Sequence, residues 1–301
     1  MQASPRVLSI QSHVVSGYVG NKSITFPLQV LGFEVDFVNS VQFSNHTWYK
    51  GGFKGQVLDA NDLEELYSGL KANALTKYSH ILTGYIGADS FLLKVCDIVK
   101  ELKVQNPNLK YVCDPVMGDD GVMYVPESLL PIYQEHILPV ADTILPNQFE
   151  AEKLTGEVIK TEEDALKVME LLHSKGPGTV ILTSTSLGAQ DTIIGYASVK
   201  TGGEYKCYKM EVPYLDCHFI GSGDLCAALF MAWSHKHPQH FQMVMNKVQS
   251  TMHAVLKRTH DYALAAVAPG SKPDWSMIEL KLIQSKADIE NPPLSAVITM
   301  L

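Results

Sequence analysis

The chain has 301 residues, 46% of them hydrophobic and 19% charged, which is enough to bury a sizeable core without staples and excludes wholesale disorder. Its 24 basic and 32 acidic residues leave a net charge of −8, a poor electrostatic footprint for a nucleic-acid binder, and no basic run offsets it. No stretch approaches the roughly 18 apolar residues of a membrane span, the N-terminus MQASPRVLSIQSHVVSGYVG lacks the continuous apolar core of a signal peptide, and the five scattered cysteines, without a C-x-x-C pair, favour reduced thiols and a cytoplasmic location.

In chain order, RVLSI is predicted as the first strand. The segment SGYVGNKS that follows, Ser16 to Ser23, contains glycine, lysine and serine, but it is not a phosphate loop of the G-x-x-x-x-G-K-[ST] type: Asn21 intervenes and the glycines stand too close. GFEVDFVNSV reads as a strand, NDLEELYSGLKAN as a helix, HILTGY as a strand with Tyr85 at its end, and SFLLKVCDIVKEL as a helix. KYVCDP places Asp114 at a strand end, with Asp119 a few residues on in the turn DPVMGDDG. DTILPN brings Asn147 to another strand end and Glu150 just beyond it; Asn147 also suits the N-cap of a helix QFEAEKLTG. TVILTS ends on Thr183 and Ser184, and from Ala189 to Val212 the pattern becomes strand-rich, which predicts antiparallel pairing at a sheet edge. FIGSGDLCAAL then runs through a glycine turn into a helix beginning at Asp224, and most of Phe241 to Ala266 forms another. Between them SHKHPQH, with His235, His237 and His240, reads as a solvated Pro-containing turn, because it has no Cys or acidic companion to make a metal site. The tail after Pro292 and Pro293 is expected to dock as a final strand.

Strands alternating with amphipathic helices predict a parallel sheet covered on both faces, and the absence of a linker or repeat predicts one domain over residues 1–301. In such sheets ligands bind outside the carboxyl ends of the strands. The residues expected there share a theme: Tyr85, Asp114, Asp119, Asn147, Glu150, Thr183 and Ser184 offer carboxylates, hydroxyls and an amide, a set that suits magnesium and phosphate better than zinc. Singly, Asp114 before Pro115 is a turn residue and Asn147 a cap, so the functional reading rests on their convergence. The backbone of Gly221, Ser222 and Gly223 can present successive N–H groups to an oxyanion at a helix N-terminus. Asp224, in the field of the helix dipole and any nearby cation, is expected to stay ionised and to take the proton of a substrate hydroxyl during phosphoryl transfer.

The segments VLSIQSHVVSGYVGN, VNSVQFSNHT, LTGY, YVCDPVMGD, PNQFEAE and GSGD, in this order and nearly end to end, resemble the ribokinase-like superfamily, and more narrowly the pyridoxal kinases of the animal type. GSGD by itself is a weak signal within the superfamily; SIQSHV together with SVQFSNHT and PNQFEAE is specific. The resemblance implies a three-layer α/β/α sandwich with a mostly parallel central sheet and an antiparallel edge. It implies phosphoryl transfer from MgATP to the 5′-hydroxyl of pyridoxal, pyridoxine or pyridoxamine. By position, Asp224 is the proton acceptor and Gly221, Ser222 and Gly223 the anion hole. Ser12 and Thr47 would hold polar edges of the pyridine ring while Val19, Val41, Phe43 and Tyr85 pack on its faces. Asp119 and Glu150 correspond to divalent-metal positions, with Mg²⁺ expected and Zn²⁺ the other candidate, and Asp114 with Thr183 to a monovalent-cation and nucleotide region taking K⁺ or Na⁺. Asn147 and Ser184 would contact ATP phosphates, and Leu215, Asp216 and Cys217 would form the loop over the nucleotide, with Ser222 also at the ATP. A homodimer is implied as well.

The chain departs from the family pattern at several points. Serine stands at 222 where threonine is usual, which keeps the hydroxyl and loses a methyl. Leu145 stands where relatives commonly carry threonine, so a side-chain oxygen near the expected monovalent site is missing. DGVMYVP after Asp119 and the stretch Ser186 to Lys206 are both shorter than in vertebrate relatives. Two other functions fit parts of the pattern: a kinase of the same fold acting on another small alcohol, such as hydroxymethylpyrimidine or a sugar, and a non-catalytic B6-vitamer-binding protein. The apolar positions Val41 and Phe43 favour an aromatic substrate over a sugar, and the presence of Asp224, Asp119 and Glu150 favours a working enzyme. A dinucleotide-binding oxidoreductase is disfavoured because no G-x-G-x-x-G follows the first strand.

Overall fold

The computed structural model of the chain describes residues 4–268 and 270–301. In chain order the elements are β1 (Arg6–Val14), α1 (Asn21–Val30), β2 (Glu34–Phe43), β3 (Gly55–Val57), α2 (Ala60–Ala72), β4 (His80–Thr83), α3 (Asp89–Gln105), β5 (Lys110–Cys113), β6 (Gly118–Asp119), β7 (Val122–Met123), α4 (Leu129–Ile132) and β8 (Thr143–Ile144). There follow α5 (Gln148–Thr155), α6 (Glu162–Ser174), β9 (Thr179–Thr185), β10 (Thr192–Thr201), β11 (Glu204–Pro213), α7 (Ser222–Lys236), α8 (Phe241–Ala265), α9 (Lys286–Glu290) and β12 (Val297–Met300).

Ten strands form one sheet in the order β12-β11-β10-β9-β8-β5-β4-β1-β2-β3. From β9 to β2 neighbouring strands are parallel; β10, β11 and β12 add in antiparallel fashion on one side and β3 on the other. This is the mostly parallel sheet with an antiparallel edge that the resemblance implies, and the C-terminal tail supplies its outermost strand.

Side chains on a strand alternate between faces, and here the alternation separates two cores. Leu8, Ile10, Ile81, Tyr111, Cys113, Ile144, Val180 and Leu182 join the core that also holds residues of α2, α3, α4, α5 and α6. Val7, Leu82, Val112, Leu145 and Ile181, one position along on the same strands or just beyond them, join the core with α1, α7, α8 and α9. Leu225 to Trp233 of α7 are all buried, so this helix is apolar almost all round.

Three details differ from the sequence reading. The helix expected from Asp224 begins at Ser222, with Gly221 as its N-cap. Asp119 lies on the first strand of a small hairpin, β6 paired with β7, rather than in a plain turn. His235 belongs to the last turn of α7 rather than to the loop after it; its ring meets Phe33 edge-on at 5.3 Å and His80 at 4.9 Å, while His237 stacks on Trp233 at 5.7 Å. Phe33 and His80 lie far off in sequence, so this packing leaves no local pattern. Among the described residues no three His, Cys, Asp or Glu side chains are placed to share a metal ion, and no helix is long and apolar enough to cross a membrane.

Candidate active site

Because β9, β8, β5, β4, β1 and β2 run parallel, the residues that follow them lie along one edge of the sheet. Asp114, Asn147 and Tyr85 fall just past the ends of β5, β8 and β4, and Thr183 and Ser184 are the residues before the last of β9. The N-terminus of α7 faces the same edge: the Cβ position of Gly223 lies 3.2 Å from Asp114 Oδ2.

Asp224 does not cap its own helix, which has no side-chain cap. Its Oδ2 instead accepts a hydrogen bond of 2.7 Å from the N–H of Gly20, in the turn between β1 and α1. Oδ1 takes no hydrogen bond among the described residues. The turn that donates to Asp224 is part of SGYVGNKS, the segment that is not a Walker loop. Gly20 has φ +53° and ψ −132°, a backbone conformation that L side chains rarely adopt, and a Cβ there would run into the backbone carbonyl of Ser12. Gly221 has φ +81°, and a Cβ there would meet the carbonyl of Tyr18, so the two glycine turns pack backbone to backbone. A further bond, Ser23 Oγ to the Gly221 carbonyl at 3.0 Å, ties α1 to the start of α7. The first-turn N–H groups of α7 are those an α-helix cannot satisfy within itself, which makes this end fit to receive an anion.

The carboxylates behind this turn are crowded. Asp114 is 6% exposed and Glu150 3%. Burial pushes Asp114 well above the ordinary carboxylate range, and the neighbouring Glu150 and Asp224 add to the shift. Burial takes Glu150 up to about 8 against the opposing pull of its backbone donors: Oε1 accepts from Met117 N–H at 2.9 Å and Oε2 from Asn147 N–H at 2.9 Å. Asn147 completes a reciprocal capping box, its Oδ1 accepting from Glu150 N–H at 2.9 Å while its Nδ2 donates to the Gly118 carbonyl at 2.8 Å. Asp224 is raised to about 6, again mainly by burial and against the pull of the Gly20 donor, which makes it a stronger base than a free aspartate while leaving it ionised at neutral pH.

These shifts have a consequence for stability. A carboxyl raised in the folded state holds its proton where the unfolded chain has released it, so its cost is absent below about pH 4 and grows as pH rises through the folded value. For Asp224 that window ends near 6. Asp224→Asn, which keeps an acceptor for Gly20 and cannot ionise, is therefore expected to melt higher than the wild type at pH 8 in cation-free buffer, by on the order of 2 kcal/mol. The two proteins should melt together at pH 4; an equal Tm at both pH values would refute the shift.

A third apolar cluster sits apart from the two cores. Val14, Val19, Val41 and Phe43 are buried together, with Tyr85 and Ile220 packed against them. Val14, Val41 and Phe43 stand at the carboxyl ends of β1 and β2, Val19 precedes the Gly20 that holds Asp224, and Ile220 precedes Gly221. Val14 and Ile220 were not among the residues expected from sequence. Ser40 Oγ donates to the Tyr85 carbonyl at 2.5 Å and fixes that strand end against β2. Ser12 is partly buried under Gly20, whereas Thr47 is exposed on the loop 44–54. Leu215 and Cys217 are partly buried and Asp216 exposed, in the loop between β11 and α7. Thr183 N–H donates to the Pro146 carbonyl at 3.0 Å, which joins the ends of β8 and β9. Leu145 is 2% exposed and belongs to the core under α7, so its side chain fills apolar space rather than facing the carboxylates.

The chain matches the phosphomethylpyrimidine kinase family over residues 76–262, a span that includes Asp114, Asn147, Glu150, Thr183 and Asp224 but not Ser12, Val19, Val41, Phe43 or Thr47. Over its whole length it is 53% identical to pyridoxal kinase of Bos taurus, with 100% of both chains covered, and 50% identical to that of Homo sapiens, again with 100% of both covered. Among solved structures it superposes on pyridoxal kinase from Leishmania donovani in complex with ADP and pyridoxamine with a TM-score of 0.91 at 34% identity, covering 98% of this chain and 99% of that one.

Proposed function

This chain belongs to the pyridoxal kinase family, and from that premise we propose how its own residues carry the reaction. It is an ATP-dependent phosphotransferase acting on the B6 vitamers pyridoxal, pyridoxine and pyridoxamine. Asp224 is the general base. The observation that carries this role is the 2.7 Å bond from Gly20 N–H to Oδ2, which fixes one carboxylate oxygen and leaves Oδ1 for the substrate 5′-hydroxyl. A carboxyl near 6 accepts a proton at neutral pH without being so weak a base that transfer stalls. The N–H groups of Gly221, Ser222 and Gly223 take up charge on the phosphoryl oxygens. The apolar cluster of Val14, Val19, Val41, Phe43 and Tyr85 holds the ring faces, with Ser12 and Thr47 at its polar edges. Asn147, Thr183 and Ser184 meet the ATP phosphates together with the Ser222 hydroxyl, and Leu215, Asp216 and Cys217 cover the nucleotide.

The carboxylates fit a cation. Asp114, Glu150 and Asp224 raise one another's or their own proton affinity with no positive partner among them, the state a bound cation relieves. Asp119 and Glu150 would hold Mg²⁺ and Asp114 with Thr183 a K⁺ or Na⁺; two protein carboxylates suit magnesium, which fills its shell with water and phosphate oxygens. When bound, the metal neutralises charge on the transferring phosphoryl group. Oxygen donors place Zn²⁺ second. We further propose one domain over residues 1–301, a homodimer and a cytoplasmic location.

The family match over 76–262 keeps a pyrimidine alcohol as a second reading, since it spans the phosphoryl-transfer residues and leaves out Val14, Val19, Val41 and Phe43 of the apolar cluster. Full-length similarity that includes the N-terminal residues of the apolar cluster favours the vitamer. Incubation with pyridoxal, ATP, magnesium and potassium should yield pyridoxal phosphate, read by its absorbance, and hydroxymethylpyrimidine should react far more slowly. No product from pyridoxal, or faster turnover of the pyrimidine, would overturn the assignment.

A further inference from the structure

Glu279 plays no part in the proton and phosphate chemistry above, yet it joins the two loops that frame it. Its carboxylate lies on a short bend held on both sides, by Ile278 and Leu280 in the interior and by Lys281 N–H donating to Thr259 Oγ1 at 3.0 Å. The side chain is 12% exposed. Oε2 accepts from Tyr18 N–H at 2.9 Å. Oε1 accepts from the Tyr49 hydroxyl at 2.9 Å and faces His46 Nε2 at 3.5 Å. Trp48 N–H donates to His46 Nδ1 at 3.3 Å, so Nδ1 is the acceptor and Nε2 carries the proton that points at the carboxylate. The Cβ position of Gly17 is filled by this carboxylate, which is why the turn carries no side chain there.

Each contact leads to one half of the site. Tyr18 holds its carbonyl against Gly221, and two residues on, Gly20 N–H grips Asp224. His46 and Tyr49 bracket Thr47 on the loop 44–54, and the His46 ring is held between Tyr49 at 4.5 Å and Trp275 at 6.0 Å. We propose that Glu279 is a positioning residue: it locks the Gly17–Gly20 turn and the 44–54 loop to one carboxylate, so that the base is aimed and the vitamer loop is seated together. A glutamine there has one oxygen to accept with: turned to Tyr18 N–H, its NH2 group opposes the His46 Nε2–H and only the Tyr49 hydroxyl can rotate to accept from it, and turned the other way it opposes Tyr18 N–H, so one donor loses its acceptor in either orientation.

This rests on the assignment of Asp224 as base, and the test separates the two. Steady-state kinetics of wild type, Glu279→Gln, Tyr49→Phe, the double variant and Asp224→Asn are measured with pyridoxal and ATP, alongside Tm. Small misplacements of reacting groups cost up to about 10²-fold, so Glu279→Gln is expected to lower kcat by about tenfold or more with the KM for ATP within about twofold. Tyr49→Phe, which removes only a hydroxyl, should raise the KM for pyridoxal by about threefold or more with a smaller change in kcat. The double variant should be no worse than Glu279→Gln, because both disrupt one linkage. If Asp224→Asn is inactive while Glu279→Gln keeps wild-type kcat and KM, the inference fails and the base assignment stands. Losses that multiply in the double variant, or a Glu279→Gln loss that only follows its folded fraction, would also overturn it. Should Glu279→Gln not fold, an unchanged pyridoxal KM in Tyr49→Phe would be decisive against the linkage.

Discussion

Asp224→Asn is expected to lower kcat by about 10²-fold or more while the KM for pyridoxal changes by no more than a few-fold. Asparagine keeps the shape and an oxygen for Gly20 N–H, so the turn and α7 should stay in place. What is lost is the proton acceptor at the second oxygen. A positioned base typically contributes 10²–10⁴-fold, and the proposed anion hole and the bound nucleotide would remain to support residual turnover. The wild-type rate should rise with pH as the carboxylate forms, with a midpoint no higher than about 6 because bound cations lower it, and the variant should lack that limb. A variant within a few-fold of wild type would make Asp224 a structural residue. A melting temperature raised at pH 8 alongside a lost rate would show that the same buried carboxylate weakens the fold and serves the chemistry.

Gly20→Val should be as damaging for a different reason. A β-branched residue at φ +53° and ψ −132° is strained by about 1–3 kcal/mol, and its Cβ would also press on the Ser12 carbonyl, which is backbone and cannot swing aside. Overpacking of this kind costs about 1–3 kcal/mol more. The turn can relieve the clash only by withdrawing the N–H that holds Asp224, so kcat should fall by about 10²-fold even in the folded fraction. Gly32→Ala is the control: φ there is +88° but nothing lies within 4 Å of the added Cβ, so it should cost about 1 kcal/mol and leave kcat alone. Equal kcat losses in the two variants would show that positive φ, not the grip on Asp224, is what matters.

Much of the site was legible because its signals are local. GSGD followed by small and apolar residues marks a glycine turn entering a buried helix, and α7 starts there. Asn147 before QFEAEKLTG marks an N-cap, and it caps α5; the glutamate three residues on, in N-Q-F-E, was a capping-box signal that the sequence reading passed over in favour of metal binding alone. The partner of Asp224 was not legible, since Gly20 is 204 residues away in a segment set aside for not being a Walker loop. Glu279 gave no signal at all: one acid in MIELKL looks like any surface glutamate until the fold lays it against Tyr18, His46 and Tyr49.

The sequence by itself determined the alternation of strands and helices, and with it the layered sheet, the edge that gathers the candidate site residues and the family of the chain. These follow from periodicity and short-range motifs, which act over a few residues. Only the tertiary structure decided that the Asp224 carboxylate is held by Gly20 rather than by its own helix, that burial raises it to about 6, and that Leu145 fills the core beneath α7. Those outcomes depend on which distant backbone groups are brought together and how much water is removed from between them. Neither quantity is written in any single stretch of the chain.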